Sequence, residues 1–241
     1  MEDREIDESL ATTGVERARG ALFDLDGVLV STEELKALAH TETVAGYGGR
    51  LDPWQYRAEM GRAYDDVIDA FIRRTGIDAD PADYSKAFRS AYLDLLRARL
   101  QLTPGAADLL QALNEQGYRL AVVSSSLRWM MDEILGRTRL DLFFHTVVSA
   151  EDVREEKPSP EPYELALKRL ALEPRNAVVF EDTQSGVTSG SRAGVKVIAV
   201  RHEYNVDHDL SRAAMVLDSL ADTPRTLRGI RQLLDDNRGC G

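Results

Sequence analysis

Two carboxylates one residue apart close a short apolar run in Ala21-Leu22-Phe23-Asp24-Leu25-Asp26-Gly27. Charged groups at the end of a buried strand are costly unless a bound cation or protonation offsets them. If the run is a strand of an open α/β sheet, its C-terminal end is where such sheets place their sites. One carboxylate there can point at a ligand while the other reaches it from the side. Gly27 permits the tight turn that must follow. Asp-x-Asp-Gly is also an ordinary turn sequence, and the motif alone leaves both readings open.

The elements around it favour a site. Strand-like apolar runs recur at Leu120–Val123, Thr146–Val148, Ala177–Phe180, Val197–Val200 and Met215–Leu217. Helical segments are expected at Ala106–Gln116, Arg128–Leu135, Pro162–Leu170 and Gly186–Ala193. Gly117 supplies a natural stop for the first of these. Alternating strands and helices imply a parallel sheet covered on both faces. The strand after Ala121-Val122-Val123 meets Ser124-Ser125-Ser126, and the one after Ala177 meets Glu181-Asp182. In a parallel sheet these ends share one edge with Asp24 and Asp26. A simple turn at Asp24 would not predict acids at a second strand end.

Between residues 32 and 102 the pattern changes. Apolar residues recur at helical spacing, as in Val67, Ile68, Phe71 and Ile72, then Phe88, Tyr92, Leu95 and Leu96. Pro53 and Pro81 mark helix starts or loops. The expected organisation is an acidic tail over 1–18, an α/β core from 19–31 and 103–241, and a helical cap over 32–102. The fold class is therefore α/β, a Rossmann-like parallel sheet with an inserted α-helical domain.

Composition narrows the partners. The chain has 241 residues, 43% of them hydrophobic, and a formal net charge of −11. Such acidity, with no basic stripe, argues against nucleic acid. No apolar run approaches a membrane span, and the acidic N-terminus is not a signal peptide. Cys240 is the single cysteine, so no internal disulfide forms and a reducing cytoplasm is the expected setting. The four histidines, His40, His145, His202 and His208, lack zinc-ligand spacing and are read as ordinary structural residues. Nothing in the sequence demands more than a monomer.

Four motifs in order resemble the haloacid dehalogenase superfamily, specifically its beta-phosphoglucomutase-like phosphatases with a small helical cap. They are Asp24-Leu25-Asp26-Gly27-Val28-Leu29, Ser124, Lys157-Pro158-Ser159-Pro160-Glu161-Pro162-Tyr163, and Glu181-Asp182-Thr183-Gln184-Ser185-Gly186 running on to Ala193-Gly194. The resemblance implies that Asp24 is the nucleophile and forms an aspartyl-phosphate. It implies Mg²⁺ on Asp24, the Asp26 backbone carbonyl and Asp182, with help from Glu181. Asp26 would be the general acid and base, Ser124 would bind a phosphoryl oxygen, and Lys157 would balance charge. Candidate substrate contacts are Ser125, Lys36, Arg62 and Arg128, together with Tyr64.

Relatives that remove halide or cleave phosphonates lack an acid two residues after the nucleophile, so Asp26 points to phosphate esters. Lys36 stands where beta-phosphoglucomutases carry a histidine, which weakens a mutase reading. Ser31 stands where many relatives have aspartate, at the joint into the cap. The cap is expected to swing about joints near Ser31 and Thr103. The expected function is a Mg²⁺-dependent phosphatase acting on a small phosphorylated metabolite, a sugar phosphate by preference. A sugar phosphomutase is the alternative, and a non-catalytic phosphometabolite-binding protein is the third reading.

Overall fold

The computed structural model of the protein describes residues 18–236. The expected acidic tail, apart from its last residue, and Cys240 lie outside the described residues. Six strands form one sheet: β1 (Gly20–Phe23), β2 (Arg119–Val123), β3 (Thr146–Val148), β4 (Ala177–Glu181), β5 (Lys196–Val200) and β6 (Met215–Leu217). Their order is β3-β2-β1-β4-β5-β6, and every pairing is parallel. All four residues of β1 are buried, as expected of a central strand walled on both faces.

Alternation along the strands divides the core in two. Phe23, Val122, Phe180 and Ile198 face one layer, formed by α4 (Ala106–Glu115), α5 (Arg128–Thr138) and α8 (Thr223–Asp236). Leu22, Ala121, Val179 and Val197 face the other, formed by α6 (Glu161–Leu170) and α7 (Gln184–Arg192). Phe23 and Phe180 stack across neighbouring strands with centroids 4.5 Å apart. Helix α8 is an addition to the elements expected from sequence, which end at Met215–Leu217. Its buried face, Ile230 and Leu234, joins the first layer.

The chain runs outward from β1 to β3 on one side of β1 and then resumes at β4 on the other. That reversal makes the β1/β4 seam the topological switch point, where open α/β sheets form crevices. Phe23 pairs with Val122 and with Phe180 in register, which sets the ends of β1, β2 and β4 side by side.

The insertion between β1 and β2 opens with α1 (Glu33–Gly46), a 3-10 turn over Pro53–Glu59, α2 (Tyr64–Thr75) and α3 (Pro81–Arg99). Asp80 caps α3 by accepting from the N–H groups of Ala82 and Asp83, with Pro81 at the first helical position. Gly76 ends α2 in the left-handed region, φ 66°. The centre of this layer is aromatic: the His40 ring stacks on Phe88 at 4.2 Å, and its Nδ1 lies 3.1 Å from the Tyr84 hydroxyl. Burial pushes the His40 pKa down to about 3, so this histidine packs as a neutral ring.

Two strands of chain connect the insertion to the sheet. They run side by side, with the Ser31 N–H donating to Gln101 O and the Thr103 N–H to Leu29 O, each at 3.0 Å. Among the described residues no helix is long and apolar enough to cross a membrane.

Candidate active site

The edge where β1, β2 and β4 end carries the acids. Asp24 follows β1 and is anchored by its N–H to Phe180 O at 2.9 Å. Its Oδ1 accepts from Lys157 Nζ at 2.5 Å. Lys157 also donates to Glu181 Oε1 at 2.6 Å and to Val123 O at 3.0 Å, which ties it to three strand ends at once. Burial opposes the Lys157 charge, but Asp24 and Glu181 outweigh it and hold the ammonium well above the ordinary lysine range. For Asp24 burial wins: despite Lys157, desolvation with Glu181 and Asp182 nearby pushes its carboxyl well up.

Asp26 is treated differently by its neighbours. Lys36, from the first turn of α1, puts its Nζ 2.8 Å from Asp26 Oδ2. Ser126 Oγ donates to the same oxygen at 2.7 Å, and Thr32 Oγ1 donates to Oδ1 at 2.5 Å. Burial alone would raise this carboxyl, but the lysine and the two hydroxyls outweigh it and hold it below the usual carboxylate range. The two acids of one motif thus have proton affinities pushed apart, a pattern that separates catalytic roles.

Ser124 Oγ accepts from the Ser126 N–H at 3.0 Å and sits 3.4 Å from Asp26 Oδ2. Asp182, at the end of β4, is buried, and desolvation with the charge of Glu181 pushes its carboxyl well up. Asp24, Asp26, Ser124, Ser125, Lys157, Asp182, Lys36 and Arg62 all line one cavity of about 70 Å³ between sheet edge and cap. Tyr64 lines it as well, its hydroxyl 2.9 Å from Ser85 Oγ. The Arg62 guanidinium is gripped by Glu59, a buried acid that Arg74 also engages.

Two candidates fall elsewhere. Arg128, expected as a substrate contact, is not among the cavity's lining residues. Its guanidinium pairs with Asp152 Oδ2 at 2.5 Å and its N–H donates to Glu151 at 2.8 Å, so the start of α5 faces the loop after β3. Glu181, expected to assist the metal, has both oxygens occupied. Oε1 accepts from Lys157 and Tyr163, and Oε2 from the Asp182 and Thr183 N–H groups and the Thr183 hydroxyl. A Cβ on Gly186 would come within 1.9 Å of its carboxylate, so only glycine lets Glu181 tuck under α7. In this structure Glu181 positions Lys157 instead of facing a ligand.

Other site residues had no role assigned from sequence, though Tyr163 closes the third motif. Thr32, Ser126 and Tyr163 act on Asp26 or Glu181 through contacts that only folding creates. His202 Nε2 lies 2.8 Å from Asp182 Oδ2. Its position two residues past β5, on the same sheet edge, is the one signal the sequence offered.

The donor set suits a hard divalent cation. Among the described residues, five buried acids, Asp24, Asp26, Glu33, Glu181 and Asp182, are accompanied by two ammonium groups, Lys36 and Lys157. Glu33 Oε2 is buried without a hydrogen-bond partner. Among the described residues no three acid, histidine or cysteine side chains form a ready metal cluster. Mg²⁺ does not require one: it takes one or two carboxylates, keeps waters and shares substrate phosphate. Asp24 and Asp182 with the Asp26 carbonyl fit that preference.

Fold and site together define an α/β hydrolase with a helical insertion, in which Asp24, Asp26 and Asp182 line one cavity at a sheet edge. The chain belongs to the haloacid dehalogenase-like hydrolases, whose family model matches residues 21–200, and it is a phosphatase of that family. It is 30% identical over 215 residues to the protein CbbY of Rhodobacter capsulatus, covering 81% of this chain and 90% of that one. It is 29% identical to a phosphorylated carbohydrates phosphatase of Thermotoga maritima, covering 82% and 89%. A crystal structure of a CbbY variant from Rhodobacter sphaeroides with xylulose-(1,5)bisphosphate superposes with a TM-score of 0.77 at 29% identity, covering 85% of this chain and 96% of that one.

Proposed function

We propose that the protein is a Mg²⁺-dependent phosphatase of small phosphorylated metabolites, sugar phosphates by preference, working through an aspartyl-phosphate on Asp24. One observation carries this reading: Asp24, held by Lys157 at 2.5 Å, lines the same cavity as Asp26, whose carboxyl is engaged by Ser126, Thr32 and Lys36. The naming of one relative as a phosphorylated carbohydrates phosphatase, and the bisphosphate bound by another, support the sugar-phosphate class.

In the first step an Asp24 oxygen attacks phosphorus and the bond to the leaving oxygen breaks. Asp26 gives its proton to that oxygen. In the second step water attacks the phosphorylated Asp24, Asp26 takes the proton, and the Asp24–phosphorus bond breaks. At rest Lys36 and the two hydroxyls hold Asp26 ionised, so the proton it gives is taken up from solvent as substrate binds, and its loss in the first step returns Asp26 to the base form for the second. An incoming phosphate dianion raises its proton affinity, because a like charge disfavours the carboxylate. Lys157 and Ser124 stabilise charge on the phosphoryl oxygens. Mg²⁺, held by Asp24, Asp182 and the Asp26 carbonyl, would supply screening between the anionic nucleophile and the anionic phosphate. Closure of the cap over the cavity would exclude bulk water.

The test is inorganic phosphate release from a panel of sugar and other metabolite phosphates, with and without Mg²⁺. Magnesium-dependent release, greatest for sugar phosphates, is expected. Interconversion of sugar phosphate isomers in place of release would establish the phosphomutase alternative. Binding of phosphorylated ligand without turnover would overturn both.

Metal uptake has a second readout in stability. Burial raises the carboxyls of Asp24 and Asp182, so their contribution to the metal-free fold is fully present below the ordinary carboxylate range and is lost as pH rises from that range through their raised values. Mg²⁺ competes with those protons. At roughly a hundredfold excess over its dissociation constant it should add about 2.7 kcal/mol. For a chain of this size that is about 5–10 °C in melting temperature. The gain should be larger at pH 8 than at pH 5; a gain independent of pH would contradict the assignment.

A further inference from the structure

Asp182 is gripped from behind by a loop that the four motifs do not include. Residues 202–208 follow β5 and pass under the site. His202 Nε2 meets Asp182 Oδ2 at 2.8 Å, and Asn205 Nδ2 donates to the Asp182 backbone carbonyl at 2.9 Å and to Val200 O at 2.8 Å. The contact is close-packed: a Cβ on Gly27, the glycine of the first motif, would lie 2.3 Å from Asp182 Oδ2 and 2.8 Å from His202 Nε2.

The tautomer of His202 follows from its other nitrogen. Nδ1 is approached at 3.2 Å by the Tyr204 backbone N–H, which can only donate. Nδ1 is therefore the acceptor, and the ring proton of the neutral imidazole sits on Nε2. Nε2–H then donates to Asp182, and this bond engages Oδ2 while Asp182 still lines the cavity. The ring is fixed at both ends by atoms of the fold.

The loop is also held from the cap. Trp54 stacks on Tyr204 with centroids 5.0 Å apart, Arg57 pairs with Asp207 at 2.6 Å, and Arg57 Nε donates to Tyr204 O at 3.3 Å. A side chain anchored this way can hold a carboxylate in one rotamer. That is what a metal carboxylate needs from its supporting groups, whose loss typically costs 10–100-fold in metal affinity.

We infer that His202 is a positioning residue for Asp182: it donates from Nε2 to Oδ2 and presents the remaining oxygen of the carboxylate to the divalent cation. The inference rests on the reading of Asp182 as a metal carboxylate.

Calorimetric titration of Mg²⁺ alone into the full-length wild-type protein, His202→Ala and His202→Gln separates the possibilities. Circular dichroism and metal-free melting check that each variant is folded. Wild-type protein is expected to bind Mg²⁺. His202→Ala should bind about 10-fold or more weakly, and His202→Gln, which keeps a donor at similar reach, should recover most of that loss. A merely structural role would lower metal-free melting in His202→Ala without changing the Mg²⁺ dissociation constant, and that result would overturn the inference. Equal losses in the Ala and Gln variants would overturn the donor role. Wild-type protein that takes up no Mg²⁺ would overturn the metal reading itself, and the inference with it.

Discussion

Replacing Asp24 with Asn should abolish phosphate release and leave the fold in place. The substitution keeps the size of the side chain and removes the anionic oxygen that attacks phosphorus. Loss of a nucleophile in a group-transfer site costs on the order of 10⁴–10⁶-fold in turnover. The fold should survive because burial already disfavours the ionised Asp24, and Lys157 keeps Glu181 at 2.6 Å and Val123 O at 3.0 Å as partners. Phosphate release by the variant, beside circular dichroism of both proteins, checks this. Release at the wild-type rate would remove Asp24 from the chemistry.

Asp26→Asn should cost about 10²–10⁴-fold, the usual range for loss of a general acid or base. The companion variant is Lys36→Met. With Asp26 intact, Lys36 holds its carboxyl below the ordinary range, so the base form persists to low pH. Removing the ammonium takes away the largest influence lowering Asp26, and its carboxyl should move up. The acid-side fall in activity should then move to higher pH in Lys36→Met, while Asp26→Asn loses that limb. An unshifted acid limb in Lys36→Met would show that Asp26 is not the group that titrates.

The same pair has a stability signature. The Asp26 contribution is present above the ordinary carboxylate range and is lost as pH falls through its lowered value. The Lys36 contribution is present below the ordinary lysine range and is lost as pH rises through its raised value, where Asp26 and Glu33 outweigh burial. Both are in force across neutral pH. The pair therefore links α1 to the sheet edge under ordinary conditions.

Much of this architecture was legible in order and type. The alternation of apolar runs with amphipathic segments implied a parallel sheet, and β3 and β6 begin and end where the pattern placed them. Helix α8 lies beyond the alternating strand and helix pattern, and its sequence signal is the helical spacing of Ile230 and Leu234. Asp24, Asp26, Ser124 and Asp182 converge on one cavity because strand ends of a parallel sheet share an edge, a rule of topology that needs no coordinates, and Lys157 joins them from the loop before α6.

Contacts between distant segments were not legible. Arg128 stands close to the serine loop in sequence, yet Asp152 on the next loop captures it. Glu181 and Asp182 are adjacent in sequence, but successive strand residues point to opposite faces. Asp182 therefore reaches the cavity, while Glu181 turns under α7 to hold Lys157 and Tyr163. Lys36 and Asp26 are ten residues apart, and their 2.8 Å contact exists only because α1 folds back over the end of β1. His202 looked ordinary in the sequence because its partner Asp182 lies twenty residues away, just past the end of β4. Local patterning determined which elements form and which acids cluster; the charge state of each acid depends on burial and on neighbours brought in by tertiary contact, and no window of sequence contains them.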